Sequence, residues 1–572
     1  MFKLKACPKK YTKDLDKAFS PEHTVKKVES ALKKFGQEIL FELKRIDIGR
    51  LGIPVYMSIC GPKAKKIMPS RKQMGKGSSP EQAKASALME LVERFSFFNF
   101  VQEKENFFHL TYSEAKNKFG EKVIPIKELL KSVQDNLSPS KAIEILDLIK
   151  WDFTLALKIT TEEETYLPFN WFKLLNEYNG SSAGNTFEES ILQGACELIE
   201  RHVCALIEGQ KQICPTIDPT TFTDQTLVDL WNKFTRQGIK VWLKDFSYGF
   251  PVPTIAALAY DPSTFPYKSE IVFTAGTATS PAKAAIRALT EVAQLGGDFS
   301  TNSTYEPSGL AKYTSLKEVD WVMQGEFISL NCLPNLEADD IYNELKSLAS
   351  ALKQMDYTLY AISTMHPNLN IPTNYNIIPG FAFRERTSQA SLGLFVGRLI
   401  AENEPPEAAW EKLNILEKYY PNAHFIPFFK GLTLLKLSEI EQASKFFQKA
   451  SKIQPQPEEQ ALSLFYWAYS LSLEEKWSEI PPILTQAISL VPDVKEYHNL
   501  IGVAYFKQKD YSKALTYFEQ ALSLDSGSAI DLANIGICYK HLGDQESAKF
   551  FLKKALELEP HLDFAQKELN TM

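Results

Sequence analysis

A 34-residue period runs through the C-terminal third of this chain and leaves few folds open to it. Gly397, Gly431, Ala468, Gly502 and Gly536 recur at intervals of 34, 37, 34 and 34 residues. Twelve residues after each stand Ala409, Ala443, Ile480, Ala514 and Ala548. Sixteen after come Leu413, Phe447, Leu484, Phe518 and Leu552, and nineteen after come Leu416, Ala450, Ala487, Ala521 and Ala555. Pro421, Pro455, Pro492, Ser526 and Pro560 close the copies. Small residues let two antiparallel helices approach, the large one fills the gap between them, and proline stops the second helix. Such a period specifies stacked helix pairs rather than one closed core. The third copy is degenerate, with Ile480 in a small position and Pro481–Pro482 inside it. The tail HLDFAQKELNTM has the polar outer face of a capping helix.

The period and residue order are those of the tetratricopeptide repeat. About five copies are expected over 388–572, forming an all-α solenoid of the kind that binds peptides or partner proteins in a concave groove. Phe428, Phe429, Tyr466, Trp467, Tyr497 and Tyr505 are available either to line that groove or to fill the core. The solenoid holds 18 basic and 24 acidic residues, so it carries the whole net charge of −6, while residues 1–387 sum to zero. This balance argues against a nucleic-acid binder. No uncharged apolar run is long enough for a membrane span, and the start MFKLKACPKKYTKD lacks the apolar stretch of a secretory signal. The seven cysteines form no C-x-x-C pair, which fits a reducing cytoplasm better than a zinc or disulfide framework.

Residues 1–387 carry a different signal. Three segments, SSPEQAKASALMELVERFSFF from Ser78, NTFEESILQGACELIERHVCAL from Asn185 and SPAKAAIRALTEVAQLGGDF from Ser280, each open with a helix cap. The caps are Ser79, Thr186 and Ser280. Pro80 and Pro281 take first helical positions, and Gln82 and Glu189 are placed to complete capping boxes. Counted from the cap, position +7 is Ser86, Gln193 and Arg287. Position +11 is Glu90, Glu197 and Glu291, and position +14 is Glu93, Glu200 and Gln294. Residues at these spacings share one helical stripe.

The flanking positions are apolar, so each stripe is expected to be buried. Five buried glutamates are costly unless cations compensate them. Arg94 and Arg201, each following a +14 glutamate, supply part of that compensation. Carboxylates with Ser and Gln oxygens suit Mg²⁺, which keeps waters and phosphate oxygens as its other ligands. Three converging stripes therefore indicate a site for a Mg²⁺–nucleotide phosphate. No P-loop and no kinase motif set is present. Gly75–Lys76–Gly77 enters the first helix, where backbone N–H groups or Lys76 can face an anion.

GKGSSPEQAKASALMELVERF, NTFEESILQGACELIERHV and AIRALTEVAQ together resemble the YcaO family, whose pattern of Ser, Glu, Glu, Arg, then Gln, Glu, Glu, Arg, then Arg, Glu, Gln is matched residue for residue. RIDIGRLGIPV (45–55) resembles the family strand before the first helix, and NIIPG (376–380) resembles its closing segment. The likeness spans about residues 20–387. It implies an α/β fold of the YcaO type (α+β in detail) and an enzyme that uses ATP and Mg²⁺ to activate a peptide backbone amide. In that chemistry the amide oxygen attacks the γ-phosphate. A Cys, Ser or Thr side chain or a sulfide source then attacks the carbon, giving an azoline or a thioamide in a ribosomally made peptide or protein.

By the same resemblance Glu90, Glu93, Glu197, Glu200 and Glu291 hold Mg²⁺. Lys76, Ser86, Arg94, Gln193, Arg287 and Gln294 serve the nucleotide, and Glu197, Glu200, Arg201 and Arg287 are the catalytic set. Arg384 and Arg386 in FAFRERTS are further candidates. The chain ends NTM rather than in the proline-rich tail of many azoline-forming members. Family members with helical repeats include one linked to methylthiolation of a ribosomal protein. An accessory role of that kind, and a nucleotide-binding repeat scaffold without catalysis, are therefore the alternatives. A TfuA-like or E1-like partner, substrate capture by the array, and a homodimer complete the expectations.

Overall fold

The computed structural model describes residues 2–300, 312–384 and 390–572. Arg386 lies outside the described residues. The chain forms two compact units: Met1–Pro139 with Lys150–Ala390, and Ser140–Ile149 with Ser391–Met572. The division thus falls at Ala390 rather than at 387, and a short segment from within the first unit's sequence belongs to the second. Its helix Pro139–Leu146 buries Ala142, Ile145 and Leu146. Tyr419 of the repeats donates its hydroxyl to Glu144. An eight-residue helix is too short to announce such membership by periodicity.

Among the described residues the first unit has three sheets. The first runs β1 (Leu40–Arg45), β2 (Val55–Cys60), β3 (Lys72–Lys76), antiparallel throughout. The other eleven strands are β4 (Phe108–Leu110), β5 (Trp151–Lys158), β6 (Glu163–Pro168), β7 (Ser181–Ala183), β8 (Thr216–Ile217), β9 (Lys240–Asp245), β10 (Thr254–Tyr260), β11 (Val272–Thr277), β12 (Phe327–Ile328), β13 (Tyr360–Ser363) and β14 (Thr373–Ile377). They form one sheet of order β4–β5–β13–β14–β7, with β6 beside β5, and another of order β11–β10–β9–β8–β12.

Three long helices carry the polar stripes: α1 (Pro80–Gln102), α2 (Phe187–Gln210) and α3 (Pro281–Gly296). Each directly follows the end strand of a different sheet, namely β3, β7 and β11. The chain thus repeats one strand–turn–helix arrangement three times. A side chain at Gly75 of β3 would meet the Ala87 nitrogen at 2.0 Å, and one at Gly276 of β11 would meet the Ala288 nitrogen at 2.5 Å. Both glycines stand four residues before a cap and both alanines eight after it. In the middle copy the strand position is Ser182 and the helix position is Gly194, whose added Cβ would lie 2.7 Å from the Ser182 hydroxyl. The side chain has moved from helix to strand, and the close approach survives.

The caps differ in detail from expectation. Ser79 accepts from the Gln82 amide at 3.2 Å and Thr186 from the Glu189 amide at 3.1 Å. Neither box closes in the return direction: Glu189 instead accepts from the amides of Ala18 (2.9 Å) and Asn185 (3.3 Å). Ser280 makes no side-chain cap bond.

The second unit is an all-α array of five helix pairs, from Leu392–Asn403 to Gln545–Leu558, closed by Asp563–Asn570. A Cβ at Gly431 would meet the Phe447 ring at 2.7 Å, and one at Gly502 would meet the Phe518 ring at 2.7 Å. Small and large positions of the period therefore face each other as the spacing requires. Pro481 and Pro482 lie in the first turn of the helix Ile480–Leu490, where their missing N–H groups cost nothing. No helix among the described residues is long and apolar enough to cross a membrane.

Gly75→Ala should destabilise the first unit by about 1–3 kcal/mol through overpacking. Gly209→Ala, on α2 with nothing within 4 Å, should be neutral or stabilising. Denaturant unfolding of both variants checks this contrast.

Candidate functional site

One cavity of about 430 Å³ in the first unit gathers every residue of the three stripes. Its walls can be described by level, because the three helices start in equivalent places. Level +7 presents Ser86, Gln193 and Arg287, with Arg287 Nη1 donating to Gln193 Oε1 at 2.8 Å. Level +11 is a glutamate from every helix: Glu90, Glu197 and Glu291. Level +14 holds Glu93, Glu200 and Gln294. Arg94 and Arg201 follow one residue later. Lys76 enters from the end of β3, which places it against Glu291 in an ion pair.

Five carboxylates here meet four cations. Arg94 lies 3.4 Å from Glu93 and 4.0 Å from Glu90, and stacks over the Tyr178 ring at 4.3 Å. Ser181 bridges the same pair, accepting from Arg94 (2.9 Å) and donating to Glu93 (3.0 Å). Arg201 Nε donates to Glu197 at 3.1 Å. Glu200 is left over: its Oε2 is buried with no hydrogen-bond partner, as is Arg287 Nε.

Burial pushes the Glu93 carboxyl up to about 8 against the pull of Arg94. Burial also raises Glu90 and Glu200. Burial and the Arg287 charge push Lys76 down to about 8. Perturbed acids and a perturbed base in one cavity mark a site built for a missing charge.

Among the described residues no trio of His, Cys, Asp or Glu forms a ready-made metal cage. Four of the five glutamates are held instead by Lys76, Arg94 and Arg201. The donor set nevertheless fits Mg²⁺: all-oxygen ligands, one carboxylate in surplus, and a bare buried oxygen on Glu200. Lys76 and the arginines are the groups that can exchange carboxylate for phosphate.

Sequence reasoning missed one wall entirely. The segment 9–19, which doubles back on itself at the Tyr11–Lys17 bridge, reaches the starts of all three helices and contributes Leu15, Lys17 and Phe19 to the cavity. Asp14 accepts from the Ser78 amide at 3.2 Å, ahead of α1. The Ala18 amide donates to Glu189 in the first turn of α2 (2.9 Å). Lys283, in the first turn of α3, donates to the carbonyls of Thr12 (2.7 Å) and Lys13 (2.9 Å). Lys9 anchors the segment between Asp16 (2.8 Å) and Glu344 (2.7 Å), all nearly fully buried. No periodicity marks such a strap. Phe273 and Thr274 of β11, and Met74 of β3, were likewise unmarked. Arg384 does reach the cavity, where it pairs with Glu208 beside Cys204.

The cavity has the donor set for phosphate and a divalent cation, and the chain carries a helical-repeat array. The family model "YcaO cyclodehydratase, ATP- and Mg²⁺-binding" matches residues 74–382, and the chain belongs to the YcaO family. Tetratricopeptide models match 428–457, 496–528 and 532–562. An uncharacterized protein of Methanothermobacter thermautotrophicus is 27% identical over 64% of this chain and 94% of its own length. The ribosomal protein S12 methylthiotransferase accessory factor YcaO of Escherichia coli is 25% identical over 47% of this chain. The aligned region covers only 53% of that protein. An uncharacterized protein from the tfuA 3′ region of Rhizobium leguminosarum bv. trifolii is 32% identical over 20% of this chain and 29% of its own length. Among solved structures, a heterocyclase in complex with substrate and cofactor shares the fold with a TM-score of 0.55 at 21% identity, over 67% of this chain and 54% of the other.

Nucleotide binding should release protons at neutral pH. Glu93 holds its proton up to about 8 and must ionise beside Mg²⁺. Affinity for Mg–nucleotide should therefore rise from pH 6 toward 8, then fall as Lys76 discharges near 8. The unliganded first unit should lose stability over the same rise, because its folded state binds the extra proton. Calorimetry at pH 7 in two buffers of different ionisation enthalpy reads the release directly; identical heats would contradict it.

Proposed function

We propose that this chain activates a backbone amide of a peptide or protein by ATP-dependent O-phosphorylation. The observation that carries the proposal is the tiered cavity, with glutamates from three helices at one level, two more glutamates at the next and two arginines one residue beyond. Glu90, Glu93, Glu197, Glu200 and Glu291 would hold Mg²⁺, which when bound supplies charge neutralisation on the phosphates. Lys76, Arg94, Arg201 and Arg287 draw negative charge from the transferred phosphoryl group. Ser86, Gln193 and Gln294 orient it by hydrogen bonding.

The amide oxygen attacks the γ-phosphorus, an O–P bond forms, and the bond from that phosphorus to the departing ADP breaks. A nucleophile then adds to the former carbonyl carbon, and phosphate leaves with the oxygen. The described cavity wall contains one thiol, Cys204, whose burial raises its pKa strongly. A thiol held protonated is a poor nucleophile. The attacking group is therefore supplied from outside this wall, by a side chain of the peptide, giving an azoline, or by a sulfide donor, giving a thioamide. Arg201, Cys204 and Arg384 line the cavity beyond the glutamate levels, and we place the acceptor amide there.

The test is phosphate release by the purified chain with Mg–ATP. Glu197→Gln and Glu200→Gln should each lower it by about 100-fold or more, the scale of losing a preorganised electrostatic contact in a dry site. Unchanged release in both variants would refute the assignment of these carboxylates, and with it catalysis at this cavity.

A further inference from the structure

The repeat that departs most from the 34-residue pattern carries an exposed apolar stripe along one helix. Its first helix, Pro457–Leu473, buries Ala461, Leu464, Ala468 and Leu471 against the array core. The opposite side leaves Leu462 at 42%, Tyr469 at 40% and Leu473 at 48% exposure. At 100° per residue these three fall within about 40° of one another and extend along about 16 Å of the helix. Phe465 flanks them, stacked on Tyr469.

Charge singles out the same repeat. Residues 457–494 hold six acidic residues and one basic residue, a net of −5 out of the −6 of the whole array. Glu458 and Glu459 open the stripe and Glu474 and Glu475 follow its end. Glu459 keeps one buried carboxylate oxygen with no hydrogen-bond partner. Carboxylates at both ends of a stripe of exposed leucine and tyrosine call for cations carried on an apolar chain. The span 458–495 lies between the tetratricopeptide matches at 428–457 and 496–528. Here the sequence has left the repeat consensus in both spacing and surface.

We propose that this divergent third repeat is the docking surface for a peptide segment whose apolar side chains are flanked by lysine or arginine. The inference rests on the reading of the chain as an enzyme of peptides and names which part of a peptide the array takes. The apolar side chains cover Leu462, Tyr469 and Leu473, and a basic side chain satisfies Glu459.

Three fluorescein-labelled 14-residue peptides test it on the full-length chain by anisotropy: one amphipathic in Leu and Lys, one in Leu and Glu, one in Ser and Lys. The Leu–Lys peptide should bind at least tenfold more tightly than either of the others. Tyr469→Ser with Leu473→Ser should weaken it tenfold or more, and Glu459→Gln should weaken it and flatten its salt dependence. All replaced groups are exposed or half-buried, and circular dichroism confirms that the variants fold. Equal binding of the Leu–Lys and Ser–Lys peptides, absence of Leu–Lys binding, or indifference to Tyr469→Ser with Leu473→Ser would overturn the proposal. Phosphate release by the same variants without peptide should stay at the parent level. A failure of amide activation would thus show in phosphate release, and a failure of docking in anisotropy.

Discussion

The crowding of five half-buried glutamates into one cavity is the constraint on which the first unit depends. A buried carboxylate without a partner costs several kcal/mol. The chain meets that cost only in part, with Lys76, Arg94, Arg201 and Arg287. The shortfall appears as a bare oxygen on Glu200 and as carboxyls that hold their protons above the usual range. On the proposed function, a divalent cation and phosphate would make up that shortfall, so the contacts that leave the empty site unsettled would favour the bound state.

Holding three charged stripes face to face demands rigid framing. Each helix follows the end strand of its own sheet, and the strand–helix crossing is so close that one side must lack a side chain. Gly75 and Gly276 supply that on the strands, and Gly194 supplies it on the helix. The strap 9–19 then ties the three helix starts together through Asp14, Ala18 and Lys283. Levels +7, +11 and +14 align because every helix is fixed at the same end.

Much of this was legible in the sequence because it rests on local rules. Caps at Ser79 and Thr186, prolines in first turns and a constant offset to each glutamate located the stripes before any coordinates. A fixed period with facing small and large residues located the array. What stayed hidden lacks periodicity or depends on contacts far apart in the chain. The strap is an irregular segment whose function is visible only through bonds spanning up to 335 residues. Glu189 satisfied a capping pattern on paper but serves the Ala18 amide, because a tertiary partner outcompeted the local one. Residues 140–149 joined the array through packing that eight helical residues cannot advertise. Arg384, one of two arginines in a polar stretch, was indistinguishable from a solvated residue until its cavity wall was seen.

The most direct measurement of the central claim is anomalous diffraction from crystals grown with Mn²⁺ in place of Mg²⁺ and a non-hydrolysable ATP analogue. The account predicts a manganese peak among Glu90, Glu93, Glu197, Glu200 and Glu291, with the arginines and Lys76 turned to the phosphates. A nucleotide bound elsewhere, or a cavity that takes no metal while Glu90, Glu93, Glu197 and Glu291 keep their Lys and Arg partners, would contradict it.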